Sequence, residues 1–309
     1  MLKYLVILLD DTSVSYCHCD NPNKNPRLIP LDTLKDAILY AMKENLTIQF
    51  VWPDYELPQK YKNVIATIDH ANIVPATLTE DADVVVYDEI PSEVEDGATV
   101  VVRITLNELL DNAGELVPVL KKASRLNVVV RDPETFRDSA VESYAKTLDF
   151  LGGAVKEEYA HDHAVQFNLL TDRMMLSEMN NCNAGWETLT LAPDGSFYVC
   201  PAFYYSGHEA VGSVTDGIDI HNPQLYRLDH APICRNCDAW HCRRCVWLNR
   251  RMTLEVNTPS HEQCVMTHTE RTASHRLLAS IRQLGTFIPD KDIPEIDYND
   301  PFEKVIKLL

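Results

Sequence analysis

Seven of the nine cysteines fall late in the chain, at Cys182, Cys200, Cys234, Cys237, Cys242, Cys245 and Cys264. The densest stretch, CRNCDAWHCRRC, spans residues 234–245 and holds four of them. Thiolate sulfur is a soft ligand that selects zinc or iron–sulfur clusters among the biological metals. A fully protein-bound site of either kind wants four ligands. Seven thiols are one short of two complete sites, and a single zinc finger would leave three over. Two sites, one with an open or non-cysteine fourth position, fit the count. A structural zinc module on the same thiols is the alternative. His241 is a further candidate ligand, or a packing histidine.

The remaining pair, Cys17 and Cys19, flanks His18. A C-x-C at the mouth of an α/β sheet lies where ligands usually bind. Asp10, Asp11 and Asp20 would shape such a pocket; the plainer reading is a pair of half-buried, inert thiols. His161 and His163 alternate, as two residues on one face of a strand would. Arg243, Arg244, Arg250 and Arg251 form a basic patch that would pair with an acidic tail, hold a peptide carboxylate, or simply be solvated. No phosphate-binding glycine loop, G-x-S-x-G or H-E-x-x-H is present.

The chain has 309 residues and a net charge of −18, from 46 acids against 28 bases. That balance disfavours nucleic acid and anionic membranes and favours a neutral or basic peptide partner. No apolar run approaches the roughly 20 residues that span a bilayer. The start, MLKYLVILLDD, reads as a buried strand rather than a signal peptide. A cytoplasmic protein is expected, and in that reducing compartment clustered cysteines bind metal rather than pair as disulfides.

The elements that must position these groups follow from hydrophobic period. YLVILL (4–9), LTIQFVW (46–52), NVIATI (63–68), DVVVYD (83–88), TVVVRI (99–104) and LNVVV (126–130) read as buried strands. DTLKDAILYAMKEN reads as a helix with Asp32 at its N-cap. TLNELLDNAGELVPVLKKA is helical, interrupted at Gly114 and Pro118. DPETFRDSAVESYAKTLDFLGG predicts a helix with Pro133 near its start and Gly152 after its end. The stretch at 156–168 leads into a further strand. Strands apolar on both faces alternating with helices imply parallel pairing and a partial α/β barrel. ETLTLAPDGSFYVC reads as a β-hairpin turning at Pro-Asp-Gly. The region beyond it is loop-rich and needs metal staples. HTERTASHRLLASIRQL (268–284) predicts a closing helix, followed by an acidic, proline-interrupted tail.

The order Cys182, Gly185, Gly195, Cys200, then Cys234-x2-Cys237-x4-Cys242-x2-Cys245, then Cys264, resembles the seven-cysteine SPASM domain of radical SAM enzymes that modify peptides and proteins. CNAG, LAPDGSFYVCP and VGSVTDG agree, with Ser213 where the family's motif has asparagine. The resemblance implies that Cys182, Cys200 and Cys245 serve one auxiliary [4Fe–4S] cluster, and that Cys234, Cys237, Cys242 and Cys264 hold a second. Radical SAM enzymes also carry C-x3-C-x2-C after the first barrel strand. In DDTSVSYCHCDNP, taking Cys17 as the middle thiol puts Ser13 and Asp20 at the flanks, and taking Cys19 as the last puts Thr12 and Tyr16 there. Neither register restores three thiolates. At the family's Gly-Gly-Glu-Pro stretch this chain reads FVWPDYELP; Glu56 and Pro58 echo it, but Trp52 and Tyr55 stand near where glycines would be. S-adenosylmethionine therefore lacks its usual anchor, and any surviving radical site would rest on Cys17, Cys19, Asp20 and Glu56.

Through CDAWHCRRCVWLNRRMTLEVNTPSHEQCVMTHTER (237–271) the chain is most similar to the CXXX repeat peptide maturases. The expected organisation is a degenerate radical SAM-type α/β barrel (1–175), a SPASM-like iron–sulfur domain (176–268), and a helix with an acidic tail (269–309). The function implied is maturation of a ribosomally made, cysteine-rich peptide. The alternatives are a catalytically inactive precursor-binding partner of an intact radical SAM enzyme, or a zinc-stabilised scaffold.

Overall fold

The computed structural model describes residues 2–78, 81–179 and 182–285. Nine strands form one sheet: β1 (Tyr4–Leu8), β2 (Thr47–Val51), β3 (His70–Pro75), β4 (Val84–Tyr87), β5 (Thr99–Ile104), β6 (Arg125–Val130), β7 (Gln166–Phe167), β8 (Thr188–Leu191) and β9 (Phe197–Tyr198). Their spatial order is β7-β6-β5-β4-β3-β2-β1-β8-β9. All pairings from β7 through β8 are parallel, and β9 alone runs antiparallel, against β8. The expected partial (β/α) barrel is therefore present. Leu5, Val6, Ile7 and Leu8 are all buried, as a strand covered on both faces requires.

The helices are α1 (Leu31–Glu44), α2 (Gln59–Ile65), α3 (Leu106–Asp111), α4 (Leu116–Lys122), α5 (Val141–Ala160), α6 (Asp172–Met175), α7 (Pro201–Tyr205), α8 (Val246–Thr253) and α9 (His261–Arg282). Several expectations shift. NVIATI is not a strand. Pro58 precedes α2, which buries Tyr61 and Ile65 at i, i+4, and the neighbouring strand is β3. Pro30, not Asp32, stands at the N-cap of α1, with Asp32 inside the first turn. The helix expected to stop at Gly152 runs on to Ala160, because Tyr144, Leu148, Leu151, Val155 and Tyr159 form a buried stripe that outweighs two glycines. His161 and His163 consequently follow a helix rather than lying on a strand; their rings bond the Glu157 carbonyl and the Glu158 carboxylate. Helix α9 begins at His261, before the expected 268, because Ser260 and Gln263 form a capping box. Cys264 thus rides on its first turn. The tail beyond 285 lies outside the described residues.

The cysteine-rich half packs onto the barrel. Cys234, Trp240, Met266, Ala273 and Leu277 share one apolar core with residues of β5, β6 and α5. The buried Arg173 guanidinium ties α6 to the thiol-rich loop through the Asp238 carbonyl and carboxylate. No helix among the described residues is long and apolar enough to cross a membrane.

Candidate metal centre

All nine cysteines are free thiols. Cys234, Cys237, Cys242 and Cys264 line one small apolar cavity, together with Met179, Ile233, Ala239 and Pro259. Cys234 and Cys237 flank a single 3₁₀ turn, Cys242 lies in the loop beyond, and α9 delivers Cys264 from the opposite side. Burial pushes the thiols of Cys234 and Cys237 up, to about 12 and about 11, with neighbouring thiols adding to it. Neutral thiols await a cation that would draw off their protons. The donor set fits a thiolate-held cluster. The Ala239 N–H lies 3.5 Å from the Cys237 Sγ, and the Arg244 N–H 3.4 Å from the Cys242 Sγ. Such N–H···S bonds favour the charged sulfur and tune the potential of an iron–sulfur centre. Among the described residues, no three His, Cys, Asp or Glu side chains converge on a single point as one metal ion would require.

Cys200 and Cys245 stand immediately before α7 and α8, as residues that precede a helix. Their carbonyls accept from the helices they precede, Cys200 from the Phe203 N–H at 3.1 Å and Cys245 from the Asn249 N–H at 2.9 Å. Burial pushes Cys245 up to about 12 and Cys200 well above the usual thiol range, and each also feels the Cys182 thiol. Cys182 is exposed, and its carbonyl accepts from the Thr188 hydroxyl at the start of β8. The CNAG turn after it needs glycine: Gly185 has φ +80°, and a Cβ there would lie 2.5 Å from the Tyr226 ring. Buried Arg244 sits within electrostatic reach of Cys234, Cys182 and Cys242, between the two thiol sets. It is not the solvated cation its neighbours suggested. His241 faces Glu270, 3.2 Å away, and its ring lines a second cavity with Cys242 and Cys245.

The loop between β1 and α1 lies at the carboxyl ends of the barrel strands. Asp10 is fully buried and holds the turn itself, accepting from the Thr12 N–H and hydroxyl and from the Tyr55 hydroxyl. Asp11 pairs with Arg27. Trp52 fills the core beneath, its indole bonded to Asn72. Cys19 is buried with its Sγ 3.6 Å from the Ser206 hydroxyl, whereas Cys17 senses Cys182 most strongly of the thiols. Asp20 is held by Arg103, and Glu56 is exposed on the turn after β2. Asp54, rather than Glu56, joins Asp20, Asp88, Arg103 and Arg131 along the groove at the barrel mouth. Arg103 on β5 went unnoticed in the sequence. Only 3% exposed, it donates to the carbonyls of Cys17 and Cys19 and to Asp20 and Asp88. A charged residue inside TVVVRI, a run otherwise fit for a core, was the signal. An adjoining groove runs over Cys19, Asp132, Glu134, His208, Trp247, Arg250, Arg251 and the 81%-exposed Leu254, so an apolar side chain caps its rim.

Neither family models nor curated protein sequences match the chain. Solved structures do. Native anSMEcpe with bound AdoMet and the Cp18Cys peptide superposes with a TM-score of 0.62 at 12% identity, covering 92% of this chain and 100% of that one. The same protein with the Kp18Cys peptide gives 0.62 at 13% identity, with 91% and 99% covered. anSMEcpe is a radical SAM/SPASM sulfatase maturase. The chain shares the fold of these structures. Within that fold, the loop after β1 offers two thiols, Cys17 and Cys19.

Proposed function

We propose that this chain is a peptide-maturation protein of the radical SAM/SPASM type, carrying two auxiliary [4Fe–4S] clusters and binding a cysteine-rich precursor peptide. The observation that carries this reading is that Cys234, Cys237, Cys242 and Cys264 line one apolar cavity, with backbone N–H groups at the sulfurs of Cys237 and Cys242. Cys234, Cys237, Cys242 and Cys264 would hold one cluster, and Cys182, Cys200 and Cys245 would serve the other; residues 176–268 form the cluster-bearing unit. Bound clusters supply one-electron chemistry and, at an open iron, a place for a substrate thiolate. The protein's own part is positioning. The groove beside Trp247 and Leu254 gives apolar purchase, Arg250 and Arg251 meet carboxylates, and the −18 net charge draws in neutral or basic segments. The peptides in the anSMEcpe structures support a peptide substrate for this fold. The reading includes the cytoplasm as the compartment.

A second reading has its own observation. The loop after β1 carries two thiols rather than three, and the buried Trp52 fills the core after β2, which favours a chain that presents the precursor to an intact radical SAM enzyme rather than cleaving S-adenosylmethionine itself. The test is anaerobic incubation of the iron-loaded protein with S-adenosylmethionine, a strong reductant and a synthetic Cys-x-x-x repeat peptide. Saturable peptide binding without cofactor cleavage supports the presenting role, and cleavage that depends on Cys17 and Cys19 supports the catalytic one. Failure to bind the peptide and to cleave the cofactor removes both. Zinc as the only metal retained after iron loading has been tried would leave a scaffold.

A further inference from the structure

One cation of the thiol-rich loop is built in at the expense of stability. Arg244 is only 5% exposed, and its backbone has φ +42°, a left-handed region that residues other than glycine rarely take. A guanidinium carries five N–H donors, and buried donors are ordinarily paired. Nη2 donates to the Tyr226 carbonyl at 2.5 Å, while the equally buried Nη1 has no hydrogen-bond partner among the described residues. The other two deeply buried arginines, Arg103 and Arg173, meet carboxylates; Arg244 has none within ion-pair distance among the described residues. Buried charges sit beside opposite charge. For Arg244 the carboxylates of the fold do not supply it.

Its surroundings are rich in thiol. The Arg244 N–H meets the Cys242 Sγ at 3.4 Å, Cys245 is the next residue in the chain, and Arg244 lines one cavity with both. The side chain reaches further. The Tyr226 whose carbonyl takes Nη2 also lays its ring against Gly185, so closely that a Cβ there would lie 2.5 Å away, and Gly185 belongs to the turn that Cys182 leads into. Tyr226, Cys200 and Cys245 pack against the same apolar core. The backbone N–H of Arg244 thus serves one thiol set, and its guanidinium braces the loop that carries the other.

We propose that Arg244 is the residue that sets the reduction potential of the thiol-rich half, a buried cation shared by the two thiol sets whose Nη1 donates to sulfur of a bound cluster. The inference rests on the two-cluster reading above and deepens it. A thiolate-held iron–sulfur cluster is an anion, and reduction adds one electron to it. A buried cation and an N–H at sulfur favour the more negative form, so they raise the potential. The step is a one-electron reduction by a low-potential donor such as dithionite, with no bond made or broken in the protein. Arginine keeps its proton throughout. Arg243 lines the same cavity but is only half-buried, so water screens its charge.

The test is a dithionite titration of the full chain, loaded anaerobically with iron and sulfide and followed by electron paramagnetic resonance. Arg244→Gln keeps a donor for the Tyr226 carbonyl and removes the charge. With iron retained, its ratio of reduced to oxidised cluster at the wild-type midpoint should fall about tenfold, which is about 59 mV for a one-electron couple. Arg244→Lys, which keeps the charge without the planar fork, should recover part of that shift. Arg243→Gln should change the ratio by less than about threefold. A second measurement needs no change at Arg244. Protein labelled with nitrogen-15 in its arginine guanidinium groups should show, when reduced, a nitrogen-15 coupling in pulsed paramagnetic resonance, and Arg243→Lys should keep it. Should Arg244→Gln fail to load iron, this labelled protein decides. Midpoints unchanged in iron-loaded Arg244→Gln, or no guanidinium coupling, overturns the inference while leaving the clusters standing. A wild type that takes up no iron overturns both.

Discussion

Arg103→Met tests the claim that one buried cation fixes the 13–20 loop. Arg103 is 3% exposed and bonds the Cys17 and Cys19 carbonyls at 3.0 and 3.1 Å. Hydrogen bonds from a charged donor contribute about 1.5–3 kcal/mol each, so the two together contribute about 3–6 kcal/mol. Its carboxylate partners Asp20 and Asp88 are 67% and 61% exposed, and such pairs add no more than about 1 kcal/mol. Taking the low end, local opening of the loop becomes easier by about 3 kcal/mol, which is roughly 100-fold in the equilibrium. Cys19 is the reporter, since its 7% exposure lets it react only when the loop opens. Alkylation of Cys19 in the apo protein should therefore accelerate about 100-fold in Arg103→Met. Arg103→Lys should fall between, because an ammonium lacks the planar fork that spans both carbonyls. Asp88→Asn should change the rate by less than about 5-fold, about 1 kcal/mol. An Arg103→Met rate equally close to wild type would refute the reasoning.

Three further outcomes follow from single positions. Gly185→Ala, at φ +80° and against Tyr226, should cost about 1–3 kcal/mol and lower the melting temperature, with iron retention falling alongside because Cys182 leads into that turn. The Thr105 N–H and hydroxyl, with help from Arg131, hold the Glu108 carboxyl below its ordinary value. A depressed carboxylate stabilises above its unfolded value of about 4.3 and loses that contribution as pH falls through the folded one, so the wild type's urea-unfolding advantage over Glu108→Gln should be present at neutral pH and vanish in acid. Leu254 has φ +66°, a left-handed conformation that costs a branched side chain about 1 kcal/mol; Leu254→Gly should raise the melting temperature and weaken repeat-peptide binding in a fluorescence titration.

The LAPDGSFYVC hairpin was legible because its turn needs a left-handed residue and Gly195 supplies it at φ +82°. That β8 would then extend the main sheet beside β1 was not legible, since strand partners are chosen by the whole packed core. NVIATI misled because valine and isoleucine favour strands only weakly, and burial of Tyr61 and Ile65 on one helical face decided the segment. The second thiol set was readable from its spacing, because Cys234, Cys237 and Cys242 are close in sequence and a capping box starts the helix that brings Cys264. The docking of the 13–20 loop onto α7 and α8 was hidden. Nothing local marks a contact that depends on Arg103, Tyr205 and Ser206 acting together.

Mössbauer spectroscopy on anaerobically loaded, iron-57-enriched protein, with iron and sulfide counted on the same sample, bears most directly on the two-centre claim. The account predicts about eight irons and eight sulfides per chain, all in four-iron clusters. About four irons, or about twelve with one cluster altered by added S-adenosylmethionine, would contradict it.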